Sequence, residues 1–382
     1  MPPFEGFPLY NAVTSTSTST GSDTVHPLAR YGWDERRAEQ FTEHAAAGLL
    51  PGRIVRVDRG LCEVVVADGD EIALVRADIA PVAVHDPLHY ACTGDWAAVG
   101  VAASGGPAVR ALLPRRTSVV RSTSSKRSEG QVLAANVDTV VIAVSLSVEP
   151  DLGRVERFLA LAWESGARPL VVLTKADAAP DGDHIRADVE RVSPGVGVLV
   201  VSALTGHGMA ELAGRLTGTS ALVGLSGAGK STLANALTGR TGSAGLAVRP
   251  TGGSGKGRHT TTAREMLPLP GGGVLIDTPG LRGVGMFDAA QGLQQAFAEI
   301  EVLARDCRFG DCGHVAEPGC AVLAALRDGG LDQRRLDSYR KLRRENEWIA
   351  SRTDARLRAE QLRRWKAADR ERDAAVRAKG RH

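Results

Sequence analysis

Between Pro51 and Pro114, short β-branched runs follow one another, separated by Gly, Asp and Pro: RIVRV, CEVVVA, EIALVRA and WAAVGVAA. Period-two runs punctuated by turn residues at this spacing predict a small all-β barrel. Ahead of it, residues 1–27 are Ser/Thr-rich without apolar periodicity and are expected to be disordered. A short helical segment carrying Trp33, Phe41 and Leu49 leads into the barrel, which makes 28–115 the first folded unit. Residues 116–136, with the polar, basic run RRTSVVRSTSSKRSEGQ at their start, read as a linker.

From Val137 the rhythm changes. The apolar runs VDTVVIAVSL, RPLVVLTK, VGVLVVSAL and ALVGLSG alternate with stretches that predict helices near 152–165, 183–192 and 208–216. Alternation of this kind builds βαβ units and a mainly parallel sheet, so the second unit, 137–300, is expected to be α/β. Sheets of that class hold ligands beyond the carboxyl ends of their strands. No internal repeat breaks the pattern.

Composition adds bounds. A chain of 382 residues is long for a single core and implies two or three domains. No stretch approaches the roughly 20 apolar residues that cross a bilayer. The N-terminus lacks a basic start followed by an apolar run, so a cytoplasmic protein is expected. The net charge of +3 conceals an asymmetry: from Leu331 to His382 there are 17 Lys/Arg against 9 Asp/Glu, or +8, leaving −5 for the rest. The basic tail, 351–382, is expected to be helical and suits either nucleic-acid phosphates or a solvated charged helix. Only Tyr90 and Trp96 are aromatic in the barrel, too few for a platform that stacks successive bases.

The chemistry concentrates at strand ends. Gly224-Leu225-Ser226-Gly227-Ala228-Gly229-Lys230-Ser231 follows an apolar run and precedes the helical pattern STLANALTG, the strand–loop–helix context of a phosphate-binding loop. Its glycines let backbone N–H groups wrap phosphate oxygens, and the helix start adds positive partial charge up to Thr232. Lys230 should reach the β- and γ-phosphates and Ser231 should ligate Mg²⁺. Thr174-Lys175-Ala176-Asp177 closes RPLVVLTK and supplies a carboxylate that can accept from guanine N1–H and its exocyclic amine, while the Lys175 stem can cover the base plane. Ser202-Ala203-Leu204 ends the next run, where a backbone N–H would meet the guanine carbonyl. Asp277-Thr-Pro-Gly280 offers an acid for the Mg²⁺ shell and a glycine near the γ-phosphate. Between them lies the Gly-rich stretch GKGRHTTT, containing His259 and three threonines, one of which should complete the Mg²⁺ coordination. Base-reading segments precede the phosphate loop here, the reverse of the ordinary GTPase order.

Further on, Cys307, Cys312, His314 and Cys320 fall within 14 residues. Zinc favours such sets in closed structural sites, the alternative being unmetallated buried thiols. Cys62 and Cys92 read as small core hydrophobes in the barrel.

The motif order, QVLAANVDTV, GRHTTT and the Cys/His cluster together resemble the circularly permuted, small-subunit-dependent GTPase A family, RsgA or YjeQ, from about Arg53 to Arg344. That resemblance implies an N-terminal OB-type β-barrel, a permuted P-loop GTPase domain and a zinc-binding α-helical domain, here 301–350. It implies hydrolysis of GTP to GDP and phosphate, stimulated by the 30S subunit in late small-subunit maturation, with 30S rRNA as partner, no membrane, and a monomeric chain. It favours Thr261 for Mg²⁺ and a catalytic role for His259, because Leu281 occupies the place where many GTPases carry a water-orienting Gln. His259 could instead contact the ribosome or solvent. Thr174 stands where GTPases in general carry Asn. The competing function is an RNA-binding module that uses GTP only as a conformational ligand.

Overall fold

The computed structural model describes residues 25–103, 105–122, 130–179, 182–240, 264–278 and 285–353. Five strands form the N-terminal unit: β1 (Leu50–Val57), β2 (Leu61–Asp68), β3 (Glu71–Asp78), β4 (Trp96–Val101) and β5 (Pro107–Leu112). Their order is β1-β2-β3-β5-β4, and β4 pairs back onto β1, which closes the barrel. Closure removes free edges, and alternate residues (Ile54, Val64, Val66, Val99, Val109) fill the interior together with Cys62. The preceding helix α1 (Glu35–Ala46) is N-capped by Asp34, whose carboxylate accepts from the Arg37 N–H at 2.9 Å. Phe41 is buried on its inner face, and Trp33 meets both Phe41 and Trp96 edge-on.

The expected linker is different. Within 116–136 lie two antiparallel strands, β6 (Ser118–Ser122) and β7 (Gly130–Ala135). Val119 and Leu133 are buried in the main core, so two short apolar runs form a hairpin whose Ser/Thr-rich, basic middle concealed the pattern. Residues 123–129 lie outside the described part.

The second unit is a sheet in the order β10-β9-β8-β11-β13-β12. These are β8 (Thr139–Ser145), β9 (Arg168–Thr174), β10 (Gly197–Val200), β11 (Thr219–Gly224), β12 (Glu265–Pro268) and β13 (Val274–Asp277), all parallel except β12. Successive residues point to opposite faces. Val140, Ile142, Ala221 and Val223 join one core with Val155 and Phe158 of α2 (Leu152–Glu164) and Ile185 of α3 (Asp183–Val192). Val141, Leu222 and Leu275 join the other with Leu212 of α4 (Met209–Arg215) and Leu233 of α5 (Lys230–Thr238). Both faces covered by helices is the α/β arrangement expected from the rhythm of the chain.

Barrel and sheet meet at a polar junction. Arg53 is buried, donating to Tyr31 O, Asn136 O and Thr219 Oγ1 and lying 4.5 Å over the Trp96 ring. Burial pulls its guanidinium down to about 9. Asn136, at φ 53°, receives Arg37 Nη2 at 2.6 Å and donates to Gly94 O at 3.0 Å. β1 also touches β12 through Arg56 and Glu265.

The C-terminal part is helical: α6 (Ala290–Ala296), α7 (Ala298–Ala304), α8 (Ala321–Arg327) and α9 (Gln333–Thr353). α9 is fastened to α2 by ions. Glu156, with no exposed surface, accepts from Arg334 at 2.9 Å, Arg335 at 2.8 Å and the Ser338 hydroxyl, while Arg157 grips Glu345. A buried carboxylate with this many donors is satisfied, and removal of one donor would leave charge unpaired. Among the described residues no helix is long and apolar enough to cross a membrane.

Candidate functional site

The strand β11 turns into the phosphate loop at Gly224, and α5 begins at Lys230. The turn needs glycine. Gly224 has φ 146°, and a Cβ there would sit 2.5 Å from Ala143 O; Gly229 has φ 83°. Ser226 and Gly227 are exposed at the rim, and Thr232 is exposed one residue beyond Ser231. The Lys230 ammonium is buried under the loop and donates to Gly224 O at 3.0 Å and Leu225 O at 2.8 Å. Burial lowers it to about 8, against the pull of Asp277.

Asp277 ends β13, directly beside β11 in parallel register with Leu222. Burial raises its carboxyl to about 6, although Lys230 and the Ser231 hydroxyl favour the charged form. Among the described residues its buried Oδ1 has no hydrogen-bond partner, and an orphaned carboxylate oxygen beside a Ser hydroxyl suits a hard divalent cation. Thr278 anchors the next residue by donating to Leu222 O. His259, Thr261 and Gly280 lie outside the described residues.

The base-reading candidates come from β9 and β10. Lys175 takes φ 61°, a left-handed turn that carries Asp177 outward from the strand end. Asp177 Oδ1 accepts from Ser202 Oγ at 2.5 Å, which fixes the carboxylate and joins the two segments. The Thr174 hydroxyl donates to Ala228 O at 2.7 Å, so the base segment is bonded to the phosphate loop. Around Asp177 opens a cavity of about 410 Å³ lined by Leu146, Ala176, Asp177, Ser202, Thr205 and His207, among others. Ala203 lies half-buried and Leu204 is 82% exposed on the loop beyond Ser202. Sequence reasoning did not select Leu146 or His207. Leu146 sits just past the β8 end, a position the strand-end rule marks; nothing marked His207.

A second site forms between α7 and α8. The donor atoms of Cys307, Cys312, His314 and Cys320 all lie within 4.8 Å of one another. Cys307 Sγ and Cys320 Sγ are 3.8 Å apart, and His314 Nδ1 is 3.6 and 3.5 Å from them. Zn–S bonds of about 2.3 Å and Zn–N bonds of about 2.0 Å at tetrahedral angles require about 3.8 Å and 3.5 Å. The donor set therefore fits zinc. Around it, Glu317 accepts from the Gly313 N–H at 2.8 Å and the Ala316 N–H at 2.9 Å, and its own N–H first, then these bonds, hold its exposed carboxyl down at about 2. Arg340 of α9 donates to His314 O, tying the knuckle to the long helix.

A glycine-rich strand–loop–helix turn, a carboxylate fixed beside it and an acid on the neighbouring strand, in permuted chain order, fit a circularly permuted GTPase fold. The family described as RsgA GTPase matches residues 112–287. The "Small ribosomal subunit biogenesis GTPase RsgA" of Streptomyces coelicolor is 60% identical over 349 residues, covering 90% of this chain and 93% of that protein. The protein of the same name from Streptomyces avermitilis is 60% identical over 363 residues, covering 94% and 96%. The crystal structure of YjeQ from Thermotoga maritima superimposes with a TM-score of 0.56 at 25% identity, over 77% of this chain and 97% of that one. YloQ, a circularly permuted GTPase, shares the fold with a TM-score of 0.54 at 22% identity over 80% and 96%. The chain belongs to the RsgA GTPase family, and it is a GTP hydrolase.

Proposed function

We propose that this GTPase hydrolyses GTP to GDP and phosphate on the small ribosomal subunit during late subunit maturation, with its slow intrinsic turnover accelerated by the 30S particle. The observation that carries the reading is the direct bond from Thr174 to Ala228, which joins the two candidate segments, in a chain 60% identical to two proteins named for small-subunit biogenesis. Asp177, positioned by Ser202, accepts from the guanine edge; the Lys175 stem covers the base, and a backbone N–H of the 202–204 segment meets the guanine carbonyl. Lys230 exchanges its contacts with Gly224 O and Leu225 O for the β- and γ-phosphates, while loop N–H groups from Gly224 to Thr232 hold the phosphate oxygens.

Ser231, Thr261 and Asp277 would hold Mg²⁺, which neutralises charge developing on the phosphates, with Gly280 near the γ-phosphate. The partnerless Asp277 Oδ1 supports that set. His259 orients the attacking water, since Leu281 offers no polar group to do so. Zinc on Cys307, Cys312, His314 and Cys320 is structural, because all four positions belong to protein donors. The barrel and the basic tail contact rRNA, and the protein works as a cytoplasmic monomer. The test is phosphate release from GTP with and without purified 30S subunits. Stimulation supports the reading; GTP binding with equal release in both arms would leave a GTP-dependent binding module instead.

A further inference from the structure

Alternation along β13 sorts its residues between the two faces of the sheet. Leu275 shares a core with Leu233 and Leu237 of α5, so Asp277, two residues on, lies on the same α5-facing side. β12 runs antiparallel beside it, with Met266 opposite Ile276, Leu267 opposite Leu275 and Glu265 opposite Asp277. Residues directly opposed in such a pair share a face, with Cα atoms about 4.5–5.5 Å apart. Glu265 is therefore a second carboxylate beside Asp277, on the side of the sheet that α5 covers.

Two carboxylates opposed in this way repel, and the arrangement calls for positive charge. Both ends of α5 supply it. Lys230 at its start favours the charged form of Asp277. At its far end Gly239 turns through a left-handed φ of 66°, and the next residue, Arg240, reaches Glu265 Oε1 at 3.1 Å. Arg56 opposes Glu265 from β1 of the barrel, but its guanidinium is paired with Asp58 at 3.3 Å. The two acids differ in surroundings. Asp277 is 2% exposed and its Oδ1 is partnerless among the described residues, whereas the Glu265 and Arg240 side chains are each 34% exposed. The charge of Glu265 is felt at Asp277, where burial first and then this neighbour raise the carboxyl against Lys230.

We infer that Glu265 is an outer carboxylate of the Mg²⁺ site at Ser231 and Asp277, its charge held and partly offset by Arg240. The inference rests on the nucleotide and Mg²⁺ reading of that site. Mg²⁺ takes oxygen ligands, keeps several waters and is bound through one or two carboxylates, so a further carboxylate just outside that shell strengthens the hold by charge. Arg240 works in the opposite sense, offsetting negative charge at the same strand end. The two members of one ion pair thus have opposite effects on cation affinity. A purely mechanical tie between β12 and α5 would give both the same effect.

The experiment titrates the full chain with Mg²⁺ in the presence of a fluorescent, non-hydrolysable GTP analogue and reads the half-saturating Mg²⁺ concentration. Glu265→Gln should raise it on the order of 10-fold, and Arg240→Gln should lower it about 3-fold. Both shifts should shrink in about 1 M salt, where the screening length falls to about 3 Å. Shifts of the same sign, or no shift in Glu265→Gln, overturn the inference and leave the pair a tie between two elements. If Glu265→Gln does not fold, Arg240→Gln decides alone: a half-saturating concentration unchanged or raised overturns the inference. Analogue binding indifferent to Mg²⁺ in the unaltered chain would instead sink the Mg²⁺ reading of Asp277 itself.

Discussion

The Thr174 hydroxyl reaches Ala228 O across 2.7 Å, so the candidate base segment is bonded to the candidate phosphate loop. The loop passes close to it, a Cβ built on Gly229 standing 3.4 Å from Thr174 Oγ1.

Thr174→Val should therefore weaken GTP affinity by about 10-fold, since the buried Ala228 carbonyl loses its donor at a cost of about 1–3 kcal/mol. Thr174→Ser should retain most of the affinity. Calorimetric titration with a non-hydrolysable GTP analogue checks both, and an unaltered Val variant would remove the bridging role.

Base choice is separable from that bridge. Asp177→Asn turns one acceptor into a donor facing the guanine edge, and should cost about 2 kcal/mol or more in GTP binding. It should also narrow the gap between GTP and other purine nucleotides in competition assays. Ser202→Ala should give a smaller loss of the same kind, because the Ser202 hydroxyl only aims the carboxylate.

For water activation, His259→Ala should keep GTP and 30S binding but lose about 10²-fold or more of the stimulated rate, the scale of a positioned acid–base group. Single-turnover cleavage with saturating subunits is the measurement. Full stimulated cleavage in this variant would pass the role to a group on the ribosome.

The thiols offer a test without mutation. Burial pushes Cys62 up to about 12 and Cys92 up to about 11, so at pH 8 only about 1 in 10⁴ and 1 in 10³ is thiolate. Both should resist iodoacetamide in the native chain, and zinc on the Cys/His cluster would shield Cys307, Cys312 and Cys320 as well. After treatment with a chelator, Cys307, Cys312 and Cys320 should become labelled while Cys62 and Cys92 stay protected. Mass spectrometry of the labelled peptides separates the two groups.

Period and spacing made much of the architecture legible. The barrel runs, the βαβ rhythm from Val137 and the strand-end motifs are local patterns, and local patterns survive in a one-dimensional string because each strand or helix sets its own periodicity. The same holds for the Cys/His spacing, where four donors close in sequence also close in space. The hairpin escaped, because its short apolar runs around Val119 and Leu133 flank a Ser-rich, basic stretch of sequence that reads as a linker.

What only the tertiary structure decided are contacts between residues far apart in the chain. Thr174 meets Ala228 because β9 and β11 flank β8, and Arg53 meets Thr219 because the barrel docks on the start of β11. Glu156 gathers Arg334, Arg335 and Ser338, and Glu164 and Asn346 cap a helix that carries no cap of its own. Such partners leave no periodic trace: a buried carboxylate or a capping amide is one polar letter in an amphipathic helix, and only packing brings its donors to it.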